Sequence, residues 1–582
     1  MEKEIEETIK KWALKNAHDY GKADAGKVMG RAIAAFPEER KNAKGLMQMA
    51  REECERVNSL EKKEIEKEML EFTYEEKQKE EEKGISLPDA VEGKVVTRFP
   101  PEPSGYLHIG HAKAVFLNYE GANAHKGHMR LRFDETNPAK SSQKFVDAIM
   151  EDLKWLGVKW KGQVTYSSDY MDEFYKLANE MIMLGKAYVC TCAPEKIKAG
   201  RESGERCVCA AKDVGENGAD FSKMRGGDIE EGGAILRFKG DMKDENTVMR
   251  DPTLFRIVAG EHFRQGRKYS CWPSYDFAAP ILDSLEGVSH AMRSKEYELR
   301  DKLYFEILKI LEMREPKLIS FSRLAIKGAP VSKRLIRPLI EEGKVSGYDD
   351  PRLPTLSALR RRGILPEAIR KFVLSFGLSK VESEPGWEKL LSENRKLIDA
   401  DAPRRFFVAE PARIKIDGVS AGEIEIKNHP QNDGLGKRAV QTSSVAYISG
   451  SDADALQEGE VFRLKDWCNL KLVSKEEARG ILPSGEEGAV RTLLCNFASD
   501  EGKVEKKVQW VSDVAKIPAK VLKGGDLLID GKYNENSLQE IWGWCERECA
   551  KMAEGQACQF ERFGFVTLDK SGDVLRFIYI SN

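Results

Sequence analysis

Phe99-Pro100-Pro101-Glu102-Pro103-Ser104-Gly105-Tyr106-Leu107-His108-Ile109-Gly110-His111 follows the β-branched run Gly93-Lys94-Val95-Val96-Thr97-Arg98 and leads into a helical pattern. The order is strand, stiff Pro/Gly loop, then a helix expected from Tyr106 onward. Repeated βα units of this kind favour a parallel sheet with its binding crevice at the carboxyl ends of the strands. His108 and His111 are three residues apart, so their rings share one helix face close to the N-terminus. There, free backbone N–H groups and the helix dipole favour an anion. Gly110 removes a side chain between them and lets a flat base or a phosphate approach the backbone. Read in isolation, the same residues are a helix start with two surface histidines.

Outward from this loop the texture changes twice. Before it, residues 1 to about 88 are rich in Glu, Lys, Ala and Met, and 16 of the 23 residues from Glu61 to Lys83 are charged. That composition reads as a helical extension whose last part is a solvated helix or an interaction arm for another macromolecule. From about Pro411 onward, short alternating runs stand between Gly, Asn and Asp turns: Arg413-Ile414-Lys415-Ile416, Glu423 to Lys427, Val504 to Val511 and Phe560 to Leu568. They read as half-buried strands of two small β units.

The chain has 582 residues, too many for one core, so several domains are expected. Lys and Arg number 94 against 96 Asp and Glu. That balance hides any basic groove, because phosphate binding depends on local rather than summed charge. Eleven cysteines, mostly scattered, fit a reduced compartment better than a disulfide framework. No apolar run reaches the ~20 residues of a membrane span and no secretory signal opens the chain, so a cytoplasmic location is expected.

Cys190-Thr191-Cys192 and Cys207-Val208-Cys209 form a C-x-C pair repeated after fourteen residues. Four thiolates at that spacing would close a tetrahedral zinc site, and four free buried thiols are the alternative. Cys545 and Cys549, one helical turn apart if helical, read as packing residues.

The extended string FPPEPSGYLHIGHAK resembles the signature of class I aminoacyl-tRNA synthetases, in particular their glutamyl and glutaminyl members. Ala329-Pro330-Val331-Ser332-Lys333-Arg334-Leu335, about 220 residues later, resembles the mobile second signature of that class. Pro330 replaces the family's first lysine, so Ser332 and Lys333 alone carry over. The resemblance covers about residues 85 to 582. It implies a split Rossmann catalytic domain over 89–345 with an α/β acceptor-stem insertion at about 170–270, a helical module over 346–405, and two β-barrels over 406–582 that bind the anticodon. Together with the N-terminal helices this is a multidomain α/β plus all-β chain.

The resemblance further implies ATP-dependent activation of an amino acid, Mg²⁺ accompanying ATP, a tRNA partner, and activation that needs bound tRNA. Pro101, Gly105, His108, Gly110, His111 and Lys333 would hold ATP, with Ser332 beside them. Donors suffice for this chemistry, because a carboxylate attacks the α-phosphate in line and the protein spreads the accumulating charge. Arg98 would face the side-chain carboxylate of L-glutamate, Asp134 its amine, and Tyr275 would line the pocket. Arg293, a second cation, favours glutamate over glutamine, because a guanidinium buried against a neutral amide is left unpaired. The expected partner is therefore tRNA(Glu), with tRNA(Gln) charging, a glutaminyl enzyme, a non-catalytic tRNA-binding paralogue and a tRNA-independent nucleotidyltransferase as alternatives. Tyr348 to Gly363 resembles the family's tRNA-contacting helical module. On that likeness Arg352, Arg360, Arg361 and Arg362 are expected to meet phosphates, the alternative being helix-end cations beside a Gly cap.

Overall fold

The computed structural model describes residues 2–20, 23–36, 39, 42–60, 62–72, 85–502 and 504–582. The chain divides into two compact units, Met1–Lys83 and Gly84–Asn582.

In the first unit, helices α1 (Glu2–Tyr20), α2 (Ala25–Ala35), α3 (Ala43–Asn58) and α4 (Lys62–Met69) enclose their own apolar core. Ile9, Leu14, Val28, Leu46 and Val57 form its centre. As expected, this last part is a helix with a solvated face: Glu64, Glu66 and Lys67 of α4 are exposed, while Ile65 is buried and Glu68 pairs with Arg56 at 2.8 Å. The remainder of the charged run, 73–83, lies outside the described residues.

The second unit opens with β1 (Val96–Phe99), followed by α5 (Ile109–Asn123), β2 (His128–Phe133), α6 (Gln143–Trp155) and β3 (Thr165–Tyr166). An insertion follows: α7 (Met171–Met183), β4 (Ala187–Cys190), α8 (Pro194–Ser203), α9 (Val214–Gly226), β5 (Ile235–Phe238), β6 (Thr253–Ile257) and β7 (Cys271–Pro273). Its four strands pair antiparallel, in order, over a separate aromatic-rich core. The chain returns through α10 (Tyr275–Leu285), β8 (His290–Ser294), α11 (Asp301–Ile310) and β9 (Lys317–Phe321).

β1, β2 and β3 pair in parallel, as do β8 and β9. Ser289, just before β8, donates its N–H to the Val96 carbonyl at 2.8 Å, while the Val96 N–H donates to the Ser289 hydroxyl at 2.8 Å. The strands therefore run in the order β3-β2-β1-β8-β9, a doubly wound arrangement whose switch point falls between β1 and β8. Both strands are buried over most of their length, as parallel strands covered on two faces must be.

Beyond β9, an arm leads to α12 (Lys333–Glu341), then to α13 (Leu356–Arg361), α14 (Pro366–Leu374) and α15 (Trp387–Ile398). Backbone bonds exchanged between Ile109 and Pro354, and between Leu356 and Leu107, tie this helical module to the start of α5 at 2.9 Å each. The rest of the chain forms two seven-stranded barrel-like sheets, one within 412–512 and one joining 404–409 to 516–581, each with its own core.

Three local expectations are corrected. The run Phe560 to Leu568 is two strands, because Arg562 at φ 59° and Gly564 at φ 139° turn the chain between Ala557–Phe560 and Gly564–Lys570. Val504 to Val511 likewise yields only the short strands Lys507–Val508 and Val511–Ser512. Cys545 lies in the strand Leu538–Glu546 and Cys549 in a 3₁₀ turn, so they pack together without sharing a helix. Among the described residues, no helix is long and apolar enough to cross a membrane.

Candidate active site

The loop after β1 and the arm after β9 border one cavity of about 950 Å³ at the carboxyl ends of β1 and β8. Pro101, Gly105, His108, Gly110, His111, Ser332 and Lys333 line it, and so do Arg98, Tyr275 and Arg293. The topology explains the convergence, since ligand crevices in open α/β sheets form where the strand order reverses.

α5 begins at Ile109, later than expected, and His108 is its N-cap. The reason is local. The Gly110 N–H donates to His108 Nδ1 at 3.1 Å, and the His108 N–H donates to His111 Nδ1 at 3.2 Å, so the two imidazoles satisfy backbone donors that a helix start leaves free. The ring centroids are 3.9 Å apart. Burial holds His111 down at about 4 and His108 well below the ordinary histidine value. Both rings are neutral at pH 7, and with Nδ1 accepting, the proton resides on Nε2. The two histidines are thus neutral N–H donors. A Cβ at Gly110 would stand 2.9 Å from the Leu324 carbonyl and 3.0 Å from the His108 ring, so only glycine fits.

Ser332 caps α12, its hydroxyl accepting the Arg334 N–H at 3.3 Å. Lys333, at the first turn of α12, donates to the Ser104 carbonyl at 2.7 Å and lies over the Phe145 ring. The ammonium thus rests on the loop that leads to the histidines.

At the other end of the cavity the charges are held from behind. Arg98, 2% exposed, donates Nε to Asp283 at 3.0 Å and Nη1 to the Met292 carbonyl at 2.7 Å. Arg132 donates to Asp134 at 2.8 Å, Asp283 at 3.1 Å and Glu286 at 2.8 Å. Burial works against ionised Asp283, yet Arg98 and Arg132 hold its carboxyl below the usual range. Arg293 pairs with Asp301 and stacks on Tyr304, leaving a buried Nε with no hydrogen-bond partner among the described residues. Tyr275 packs on Tyr297 with centroids 4.8 Å apart. Asp134 is not in the cavity lining; its Oδ1 accepts hydrogen bonds from Arg132 Nε and the Ser167 hydroxyl, both at 2.8 Å.

The supporting residues Arg132, Asp283, Asp301 and Tyr304 were not singled out from the sequence. An aspartate inside the apolar run of α10 was the available signal, because a buried carboxylate requires a cation.

Three of the four expected phosphate-binding arginines are corrected. Arg352 is 5% exposed and spends its guanidinium on Asp350, the Ser537 hydroxyl and the Lys344 carbonyl. Arg361 grips Asp569 at 2.8 and 3.0 Å. Arg362, 6% exposed, donates to the Ile580 carbonyl at 3.2 Å and stacks on Trp387. All three join the helical module to the second β-sheet; the buried guanidiniums of Arg352 and Arg362 are not presented to phosphate, and that of the half-buried Arg361 is committed to Asp569 and Asp349. Arg360 alone stays at the surface, paired with Glu151 at 2.7 Å.

The four cysteines do converge: their sulfurs all lie within 4.8 Å of one another. Cys190 and Cys207 are 3.6 Å apart and Cys192 and Cys209 3.7 Å, far beyond a disulfide bond of about 2.05 Å. A tetrahedron with bonds of about 2.3 Å has sulfur–sulfur edges of roughly 3.8 Å. Arg237 approaches Cys190 and Cys207 at 3.9 and 3.8 Å. A smaller cavity of about 490 Å³ beside this cluster contains none of the histidines or arginines described above.

Fold and site together define a nucleotide-binding α/β enzyme. Residues 94–400 match the family model described as "tRNA synthetases class I (E and Q), catalytic domain", and 402–485 and 507–569 match two models described as its anti-codon binding domain. The chain is 43% identical over 582 residues to the glutamate–tRNA ligase of Nitrosopumilus maritimus (strain SCM1), covering 99% of both chains. It is 40% identical to that of Cenarchaeum symbiosum (strain A) over 96% of each, and 38% identical to that of Pyrococcus furiosus over 97% of this chain and 98% of that one. The chain belongs to the class I tRNA synthetases of the glutamate and glutamine (E and Q) family.

Proposed function

We propose that the chain ligates L-glutamate to the 3′ end of tRNA(Glu) through a glutamyl-adenylate. The observation that carries this reading is one cavity with two kinds of lining: neutral imidazole donors and Lys333 at one end, Arg98 and Arg293 at the other.

The glutamate α-carboxylate attacks the α-phosphate of ATP, and the α–β phosphoanhydride bond breaks to release pyrophosphate. His108 and His111 each offer an Nε2–H donor while remaining uncharged, and Lys333 swings from Ser104 to the phosphates. Fixed donors of this kind stabilise developing charge because they need no reorganisation when the reaction occurs. Mg²⁺ accompanying ATP would add positive charge beside the donors of His108, His111 and Lys333 and help to spread the charge of the phosphates. The ribose hydroxyl of the terminal tRNA nucleotide then attacks the carbonyl carbon of the mixed anhydride, the acyl–phosphate bond breaks to release AMP, and the hydroxyl proton is given up, a step that demands orientation above all.

Selection of the acid over the amide follows from the arginines. Asp283 and Asp301 anchor one side of each guanidinium, and both arginines line the cavity, where their unspent N–H groups would be the donors for a carboxylate. An amide would turn its own NH₂ toward one of them, leaving donors unpaired in a dry site, which typically costs several kcal/mol. The cysteine cluster fits a structural zinc ion, which would fix the loops of the insertion; metal analysis of the purified protein should return one zinc per chain.

The functional reading is tested by charging purified tRNA(Glu) and tRNA(Gln) with labelled glutamate and with labelled glutamine. ATP-dependent loading of glutamate supports it, and loading of glutamine alone refutes it. Loading of glutamate on both tRNAs supports the amino-acid reading and assigns a non-discriminating enzyme.

A further inference from the structure

Lys113 is a buried cation with no carboxylate partner among the described residues. It stands two residues past His111 in α5 and is 0% exposed. Its ammonium donates to the Ser322 carbonyl at 2.8 Å and to the Ser322 hydroxyl at 3.0 Å, and lies 5.7 Å over the Phe321 ring. Burial alone pushes its pKa down to about 8.

Ser322 begins the arm that carries Ser332 and Lys333. The same arm touches α5 again at Leu324, whose carbonyl occupies the space a side chain at Gly110 would need. Leu324 and Ile326 then enter the core beside Ile109 and Ala112. The arm is therefore held against the histidine-bearing helix at two points before it reaches Lys333. A bare ammonium is a costly way to satisfy one carbonyl, since a neutral donor would bring no charge into the core. Charge-assisted bonds are also shorter and more directional than neutral ones, which suits a clamp.

We propose that Lys113 is a positioning residue of the nucleotide site, clamping the arm to α5 so that Lys333 meets the phosphates held by His108 and His111. It touches none of the reacting groups. This inference rests on the ATP-dependent reading above.

The test is ATP–pyrophosphate exchange by the full-length protein, with glutamate and tRNA present, for wild type, Lys113→Met, Lys113→Arg and Ser322→Ala. Lys113→Met should raise KM for ATP by about tenfold or more and lower kcat, while KM for glutamate stays within about twofold. Lys113→Arg should recover most of the loss, and Ser322→Ala should shift KM for ATP in the same direction by less. Wild-type kinetics in Lys113→Met, or an equal rise of both KM values, would overturn the proposal whatever happens to the thermal midpoint. If Lys113→Met does not fold, an unchanged KM for ATP in Ser322→Ala overturns it. An inactive wild-type protein would instead overturn the functional reading, and this inference with it.

Discussion

One oxygen of Asp283 accepts hydrogen bonds from both Arg98 and Arg132, at 3.0 and 3.1 Å. Its other oxygen accepts the Tyr304 hydroxyl at 3.0 Å, and Tyr304 in turn supports Arg293. A single carboxylate thus orients the strand-end arginine and, through a phenol, the second one.

Replacing Asp283 by Asn keeps the shape and removes the charge. Two buried guanidiniums then lose their shared counter-ion, a change that typically destabilises by about 3–5 kcal/mol. Asp283→Asn should lower the thermal midpoint of the catalytic domain and raise KM for glutamate, with KM for ATP changed much less. Calorimetry and exchange kinetics check both, and an unaltered midpoint would contradict the network described here.

Arg293→Ala should lower kcat/KM for glutamate by about 100-fold or more, because one charge-assisted pair contributes on the order of 3 kcal/mol in a dry pocket. The loss should be far smaller for glutamine, which narrows the preference between the two. Exchange rates with each amino acid measure this directly. Equal losses for both would mean that Arg293 serves the fold and not the choice of substrate.

The histidine pair makes a signed pH prediction. His111 is held at about 4 when folded, against about 6.5 in an unfolded chain. Between those values the unfolded chain binds a proton that the folded one does not, so stability is full above about pH 6.5 and falls as pH drops toward 4. His108 adds to the effect in the same direction. The rings also remain neutral across the assay range, so KM for ATP should show no histidine titration between about pH 5.5 and 8. A KM that improves about tenfold as pH falls through 6.5 would identify an imidazolium instead.

How much of this was legible in the sequence follows from how local each signal is. His108, Gly110 and His111 were readable because the cap, the helix and the absent side chain all lie within a few residues. The four cysteines were readable because their pairing is set by two short loops. Arg352, Arg361 and Arg362 were misread because their partners Ser537, Asp569 and Ile580 lie far along the chain, so nothing nearby marks them as interdomain struts. Asp283 was missed for the same reason.

Those struts give a prediction about RNA. A cation that contacts phosphate reduces the salt dependence of binding by about one unit of log–log slope when it is removed. Arg361→Ala should leave that slope unchanged and lower the midpoint at which the helical module and second β-sheet separate, since its bond to Asp569 is lost. Arg360→Ala, at the surface, should change the slope and leave the midpoint within about 0.5 kcal/mol of wild type. Filter binding of tRNA across a salt series, with thermal unfolding beside it, separates the two behaviours.

The central claim is that one cavity holds an acidic amino acid at the arginine end and its phosphate at the histidine end. A crystal structure with a non-hydrolysable glutamyl-adenylate analogue tests it most directly. The account predicts the side-chain carboxylate bonded to Arg98 and Arg293, and the phosphate-mimicking oxygens within about 3 Å of the histidine Nε2 atoms. A ligand seated with its carboxylate away from both arginines, or bound outside this cavity, would contradict it.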